Sequence, residues 1–342
     1  MSNDAIPLAG AIHSYQIDGL SANHPGLGGS IIEPSTTWIE RVEVRGLGSG
    51  AEHGGFQGGQ VNVVTKSGSN DFRASLRTSM ENDLLTASNL VSTEIGAETA
   101  DRYDVEGDVS GALVRDRLFY YLGAAWVDRS SRVLNHLNSV EGRYSPLVEE
   151  LSERKAFGKL TWTPTVSDLV ELSGAALGNH ADNYDMTGFE APGASTEYSS
   201  PTWFANLGWR RALGDRATLE ARINHFSRDE RQTPYGGTDQ PGVQFYAVVP
   251  PYTRFHNAPF TLRSAPSSTS ATLGTTFRFN TGAQEHLVKV GGEYTVGSFL
   301  DTRTRNGGMT WLPVRTQAFD AADPSTWRHR SASWTPTEWE GE

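Results

Sequence analysis

The chain has 342 residues, no cysteine, a formal net charge of −11 and only 37% hydrophobic residues. The acidic balance excludes the basic stripe that a nucleic-acid binder needs, and the missing cysteines exclude a disulfide framework and thiolate metal sites. A mean hydropathy of −0.45 is low for a packed globular core of this length, whereas a barrel with a polar-filled lumen needs apolar residues only at alternate positions.

No run of about 18 apolar residues occurs, so there is no transmembrane helix, which says nothing against a membrane β-barrel. The opening Met1-Ser-Asn-Asp-Ala-Ile-Pro7 lacks the basic and apolar regions of a signal peptide. Residues 1–37 are Gly- and Pro-rich, with a short strand, Tyr15-Gln-Ile, running into the turn dipeptide Asp18-Gly19. Two β-type runs follow, Ile39-Glu-Arg-Val-Glu-Val-Arg45 and Gln60-Val-Asn-Val-Val-Thr-Lys66. Between them lie Gly46, Gly48, Gly50, Gly54, Gly55, Gly58 and Gly59, a density that calls for positive φ or close backbone approach. Gly46-Leu-Gly-Ser-Gly-Ala51 matches a G-x-G-x-x-A dinucleotide fingerprint. That motif needs a helix next, and the glycines at 54, 55, 58 and 59 argue against one.

From Asp71 the chain turns into a series of strands. A half-polar strand over 72–80 precedes four hairpins, pairing 102–113 with 118–128, 154–163 with 168–178, 202–212 with 217–227, and 269–280 with 286–298. All four turns are short and carry Gly, Asp, Pro or Ser. The intervening connections, 81–101, 129–153, 179–201, 228–268 and everything after 298, are long. Tight turns at one end and long polar loops at the other are the layout of an outer-membrane barrel. Trp203, Ala205, Leu207 and Trp209 alternate with Phe204, Asn206, Gly208 and Arg210, so one face is apolar and the other polar or small, Phe204 excepted. Ala271 to Asn280 and Val288 to Val296 alternate likewise. A soluble antiparallel sheet with one wet face gives the same alternation. Trp126, Trp162, Trp203 and Trp209 near strand ends fit interfacial girdles of a barrel.

The stretch 38–70 resembles the end of the plug domain of TonB-dependent outer-membrane receptors. The resemblance rests on Ile39-Glu-Arg-Val-Glu-Val44, Ala51-Glu-His-Gly-Gly-Phe56, Gly58-Gly59, Val61-Asn-Val-Val64 and Thr65-Lys66-Ser67-Gly68, and is closest to the Oar-like branch. Gln16-Ile-Asp-Gly19 matches an earlier plug turn, and Val114-Arg-Asp-Arg-Leu-Phe-Tyr-Tyr121 resembles early barrel strands. The resemblance implies an all-β fold: residues 1–70 the C-terminal part of a plug, and 71–342 the N-terminal part of a transmembrane antiparallel barrel. Such barrels close about 22 strands, and nine are counted here, so the chain reads as a fragment. The resemblance implies a signal peptide and a TonB box upstream of this sequence, and 334–342 is not expected to be a strand.

The implied function is energised uptake of a solute across the bacterial outer membrane. The implied partners are membrane lipid, TonB through the full-length protein, and a siderophore, peptide or glycan. No catalysis and no cofactor are implied. The alternatives are a structural or adhesive outer-membrane barrel without transport, and a soluble β-rich carbohydrate-binding or hydrolytic protein.

The residues that carry the plug motif are Asp18, Gly19, Arg41, Glu43, Arg45, Gly54, Gly55, Gly58, Gly59, Asn62, Thr65 and Lys66. Arg41, Glu43 and Arg45 share one strand face. The resemblance implies that they seat the plug on wall charges, the candidates being Glu106, Asp108 and Glu171; the alternative is an ordinary solvated face. The long segment 228–268 carries Tyr235, Phe245, Tyr246, Tyr252, Phe255, His256 and Phe260 among prolines. Tyr235, Tyr246, Tyr252 and Phe255 are candidate ligand contacts, since aromatics on a stiffened loop give contact area at small entropic cost. Packing against one another is the alternative. His13, His24 and His53 lack metal-ligand spacing and are expected on exposed loops. Glu149-Glu150 and Asp182-Asn-Tyr-Asp185 read as acidic loop surface.

Overall fold

The computed structural model describes residues 13–46, 58–82, 84–85, 96–134, 137–138, 143–144, 147–184, 192–245, 253–313, 327–330 and 337–341. Four strands near the start make a small sheet: β1 (His13–Ile17), β2 (Leu20–Ser21), β3 (Ile39–Arg45) and β4 (Gly59–Thr65), in the order β2-β1-β4-β3. The parallel pairing of β1 with β4 joins segments more than forty residues apart, beyond what a local pattern can announce. A single 3₁₀ turn, Thr36–Trp38, leads into β3 and is capped by Ser35, whose side chain accepts from the Thr37 amide.

Most of the remaining strands form one large antiparallel sheet. It begins with β5 (Arg73–Asn82), β6 (Gly96–Val114) and β7 (Leu118–Leu134). A separate small hairpin follows, β8 (Leu137–Asn138) with β9 (Arg143–Tyr144). Then come β10 (Leu147–Trp162), β11 (Asp168–Tyr184), β12 (Thr196–Ser199), β13 (Thr202–Leu213), β14 (Ala217–Arg228) and β15 (Glu230–Pro234). Next are β16 (Gly242–Phe245), β17 (Thr253–Phe255), β18 (Phe260–Ser264), β19 (Ser267–Thr281) and β20 (Gln284–Arg305). The last three are β21 (Thr310–Pro313), β22 (Trp327–Arg330) and β23 (Thr337–Gly341). β16, β17, β21 and β22 form their own sheet. The four expected hairpins are all present, as β6/β7, β10/β11, β13/β14 and β19/β20.

β6, β7, β10, β11 and β20 run well past their expected ends on the long-connection side, β20 to Arg305 for instance, because there the sequence, Phe299-Leu-Asp-Thr-Arg-Thr-Arg305 in β20, no longer alternates apolar with polar. The segment 228–268 holds β15 to β18 rather than irregular loop. Residues 334–342 were expected to hold no strand, yet Thr337–Gly341 pairs with Phe299–Arg303 of β20. An edge offered by a distant strand is not written in five local residues.

β12 continues into β13, β14 into β15 and β18 into β19, each across a short break at Ser200-Pro201, Asp229 and Ala265-Pro266. The breaks lie side by side: the Asp229 amide donates to the Pro201 carbonyl and the Arg228 amide to that of Pro266, both at 3.0 Å. Two prolines without amides interrupt the ladder at one level and crease the wall there. Counting each bent pair as one strand, the wall from β5 to β20 has nine strands, as the sequence suggested, and β23 adds a tenth beside β20.

The register separates barrel from soluble sheet. Leu160, Leu172, Leu207, Ile223, Ala271 and Tyr294 stand opposite one another across six strands. All of the large apolar residues in that row are exposed. The adjacent row on the other face is Lys159, Ser173, Asn206, Asn224, Ser270 and Thr295, and its first five members are buried. Apolar outside and polar inside is the reverse of a soluble protein and is what a bilayer demands. Trp162 and Trp209 both stand opposite Val170 of β11, while Trp203 stands opposite Ala176 and Trp126 opposite Arg154, itself opposite Gly178. Val170 to Ala176–Gly178 is roughly 20–26 Å of strand, close to the apolar band of about 25 Å between aromatic girdles.

Leu207→Arg on the outer row is therefore expected to cost about 2–4 kcal/mol and to empty the outer-membrane fraction. Asn206→Ser, one residue away, should leave abundance unchanged by immunoblot. Equal loss from both would remove the case for a lipid-facing row.

Candidate functional site: the seat of the small sheet

The small sheet rests on the polar face of the wall, and the contact has two tiers. The upper tier is a wall row running Gly123, Phe157, Ala175, Phe204, Phe226, Ser268 and Gly297. Its aromatics join Ile17, Ala22, Ile31, Ile32 and Trp38 of the small sheet and its loops in one apolar core. Phe204, the odd residue on an otherwise polar face, lies within that core, its ring 6.4 Å from Phe157. Trp38 is fully buried and stacks on Phe157 at 5.3 Å. The two glycines ending the row make room: a Cβ on Gly123 would lie 2.5 Å from the Trp38 indole nitrogen, and one on Gly297 2.6 Å from Pro25. The Tyr121 hydroxyl donates to the Thr37 carbonyl at 3.2 Å, tying the 3₁₀ turn to β7.

The lower tier is polar and centres on Asp18. With φ of 51° and 81°, Asp18 and Gly19 turn the chain so that the carboxylate points back under β4. Asp18 accepts from the Thr65 amide at 2.9 Å and the Thr65 hydroxyl at 2.6 Å. Asn62 accepts from the Gly19 amide at 2.8 Å and donates to Glu43 at 3.2 Å. Into this knot reaches Lys159 of the wall, buried to 5% exposure, with its Nζ 3.4 Å from Asp18, 3.2 Å from the Thr65 hydroxyl and 3.4 Å from Glu171. Arg222 donates to the Asp18 carbonyl and Asn224 to that of Ser21, both at 3.1 Å. One buried ammonium set between two carboxylates and the Thr65 hydroxyl is a strong and directional join.

Asp18, Gly19, Asn62 and Thr65, singled out from the sequence, thus converge on one spot. Arg41, Glu43 and Arg45 do not meet the wall charges named for them: the contacts described are within the small sheet, Arg41–Glu43 at 3.0 Å, Arg45–Glu43 at 2.8 Å and Arg45–Gln60 at 3.1 Å, beside the Asn62–Glu43 bond. The Asn62 hydrogen bond first, then Arg41, holds the Glu43 carboxyl below its usual range. Of the wall candidates, Glu106 accepts from Ser35 at 3.3 Å, Glu171 meets Lys159, and Asp108 accepts from Ser75 of its own sheet. The Lys66 amide donates to the Trp38 carbonyl, and the Gly59 amide to His13 at 3.3 Å; Gly58 precedes β4.

Gly54, Gly55, His53, Tyr246 and Tyr252 lie outside the described residues, and of Phe255 only the backbone, in β17, is described. The Tyr235 hydroxyl donates to Asp182 at 2.6 Å; partial burial and that carboxylate push its phenol up to about 12. His13 is exposed as expected, but in β1 rather than a loop, and His24 is buried against the wall. Lys159, Arg222, Trp38 and Phe157 escaped the sequence reading. The available signal was an aromatic or a lysine standing at inward parity among small residues, as Phe157 and Lys159 flank Gly158.

No family model matches the chain. Over 119 residues, a third of its length, it is 29% identical to the TonB-dependent transporter Oar of Myxococcus xanthus, of which that alignment covers 11%. Among solved structures, the outer membrane transporter YddB from Escherichia coli aligns with 90% of the chain at TM-score 0.62 and 14% identity. The ferripyoverdine receptor of Pseudomonas aeruginosa aligns with 96% at 0.58 and 12%, and BauA, the ferric preacinetobactin receptor from Acinetobacter baumannii, with 95% at 0.58 and 15%. The chain spans 43%, 41% and 45% of those three. Likeness at this identity establishes the fold.

Proposed function

We propose that this chain, a TonB-dependent receptor of the bacterial outer membrane with Oar as its curated relative, serves energised uptake of a solute. In this reading residues 1–70 are the closing part of a plug and 71–342 the opening part of the barrel around it. TonB acts through the full-length protein and no residue is catalytic. The observation that carries it is the two-tiered seat: a small sheet held on the polar face of a lipid-facing wall by one buried lysine and one buried tryptophan. A plug so held blocks the lumen at rest, yet a few side-chain contacts hold it, so applied work can move it. The solved relatives whose names specify ferripyoverdine and preacinetobactin receptors support a ferric siderophore as the first solute to try, ahead of peptide and glycan.

Deleting the gene is expected to abolish growth on one of three sole sources, a ferric siderophore, an oligopeptide or a glycan. A protonophore should stop accumulation of that compound in the parent strain. Loss of surface adhesion with all three uptakes intact would overturn transport in favour of a structural barrel.

A further inference from the structure

The loop from His24 to Gly29 is a closed turn built around an imidazole. The His24 amide donates to the Gly29 carbonyl and the Gly28 amide to the His24 carbonyl, both at 3.0 Å. Inside the turn, His24 Nδ1 accepts from two backbone amides, Gly26 at 3.1 Å and Leu27 at 3.0 Å. An acceptor of two N–H groups carries no proton, so these bonds assign the neutral ring its hydrogen on Nε2. The turn is pressed on β20: Pro25 fills the space over Gly297, Gly26 lies on the Phe299 ring, and the His24 and Phe299 rings are 5.8 Å apart.

We infer that His24 is a proton-sensitive clasp: acid opens the 24–29 turn and frees this side of the small sheet from β20, while the Lys159 side stays closed. A second proton can enter the ring only at Nδ1. There it would face the Gly26 and Leu27 amide hydrogens, and both hydrogen bonds would be lost.

The charged groups around the ring come from two wall elements. Asp301 of β20 lies 3.9 Å from Nε2, and Arg228 of β14 is near, itself paired with Glu230 at 2.6 Å. Burial, outweighing Asp301 and helped by Arg228, holds the imidazole below its ordinary 6.5. The sign follows: the closed turn binds fewer protons than the open one, so closure is complete above the ordinary value and weakens as pH falls through it. Among the described residues the Lys159 tier has no histidine in its contacts, and it serves as the internal reference.

Amide hydrogen exchange on the purified protein, corrected for intrinsic rates, reads the clasp at Gly26 and Leu27. Between pH 7.5 and 5.5 their protection is expected to fall about tenfold, with the Thr65 amide unchanged. His24→Asn keeps an acceptor, Oδ1, that does not titrate, and should make Gly26 and Leu27 insensitive to pH. Constant protection in the parent protein, or an equal acid loss in H24N, would overturn the inference. If H24N does not fold, the unequal response of Leu27 and Thr65 in the parent protein decides alone.

Discussion

Trp38→Ala is expected to weaken the seat of the small sheet by about 3–5 kcal/mol, the range for deleting a large buried aromatic. The indole is fully buried and stacks on Phe157, so its removal leaves a hole that a rigid wall of hydrogen-bonded strands cannot close. The indole N–H is buried without a hydrogen-bond partner among the described residues, so Trp38→Phe should lose far less. Gly123→Ala attacks the same contact from the wall, since its new methyl would lie 2.5 Å from the indole nitrogen. Once Trp38 is alanine, adding Gly123→Ala should cost almost nothing, the non-additivity expected of residues in contact. The chain has no cysteine, so Ser14→Cys, buried in β1, reports release of the small sheet by maleimide labelling across a urea series. Additive losses for the two sites would show that the small sheet sits elsewhere.

Lys159→Met is the second large effect, about 3 kcal/mol or more. The ammonium is buried, and its removal leaves the carboxylates of Asp18 and Glu171 without the cation between them. Asp18 is itself largely enclosed, whereas the Glu171 side chain keeps 41% of its exposure, so water can compensate Glu171 and not Asp18. Asp18→Asn should therefore rescue Lys159→Met substantially and Glu171→Gln only slightly. The cycle between 159 and 18, read by the same labelling assay, should give coupling well above 1 kcal/mol; coupling near zero would sink the polar tier. Because the pair is enclosed, its contribution should survive high salt that removes exposed pairs such as Arg278–Glu285.

The wall was legible because alternation and tight turns are local: each hairpin could be read within about thirty residues. The two tiers were legible only in halves. Asp18, Asn62 and Thr65 stood out through the motif they belong to, but Lys159 and Arg222 come from strands whose neighbours are fixed by register across the sheet. Reading Arg41, Glu43 and Arg45 as wall contacts followed the family resemblance, with an ordinary solvated strand face as the alternative. In the structure they pair with one another and with Gln60 and Asn62 of β4, which leaves the docking to a less charged face. His24 looked like a loop histidine because it stands among Pro25 and the glycines at 26, 28 and 29; its burial is supplied by Phe299 and Asp301, on a strand at the far end of the sequence.

The crossing of rows and strands has a mechanical consequence. Gly123, Phe157, Phe204, Phe226 and Gly297 form a line across the strands. A pull along the strands loads Trp38, Pro25 and the core between them in shear, all at once. A pull from one end of the line strips them in succession, each contact bearing the whole force in turn. The same seat is thus stiff toward axial load and yielding toward a sideways tug, so the direction of force, as much as its size, decides whether the small sheet leaves the wall.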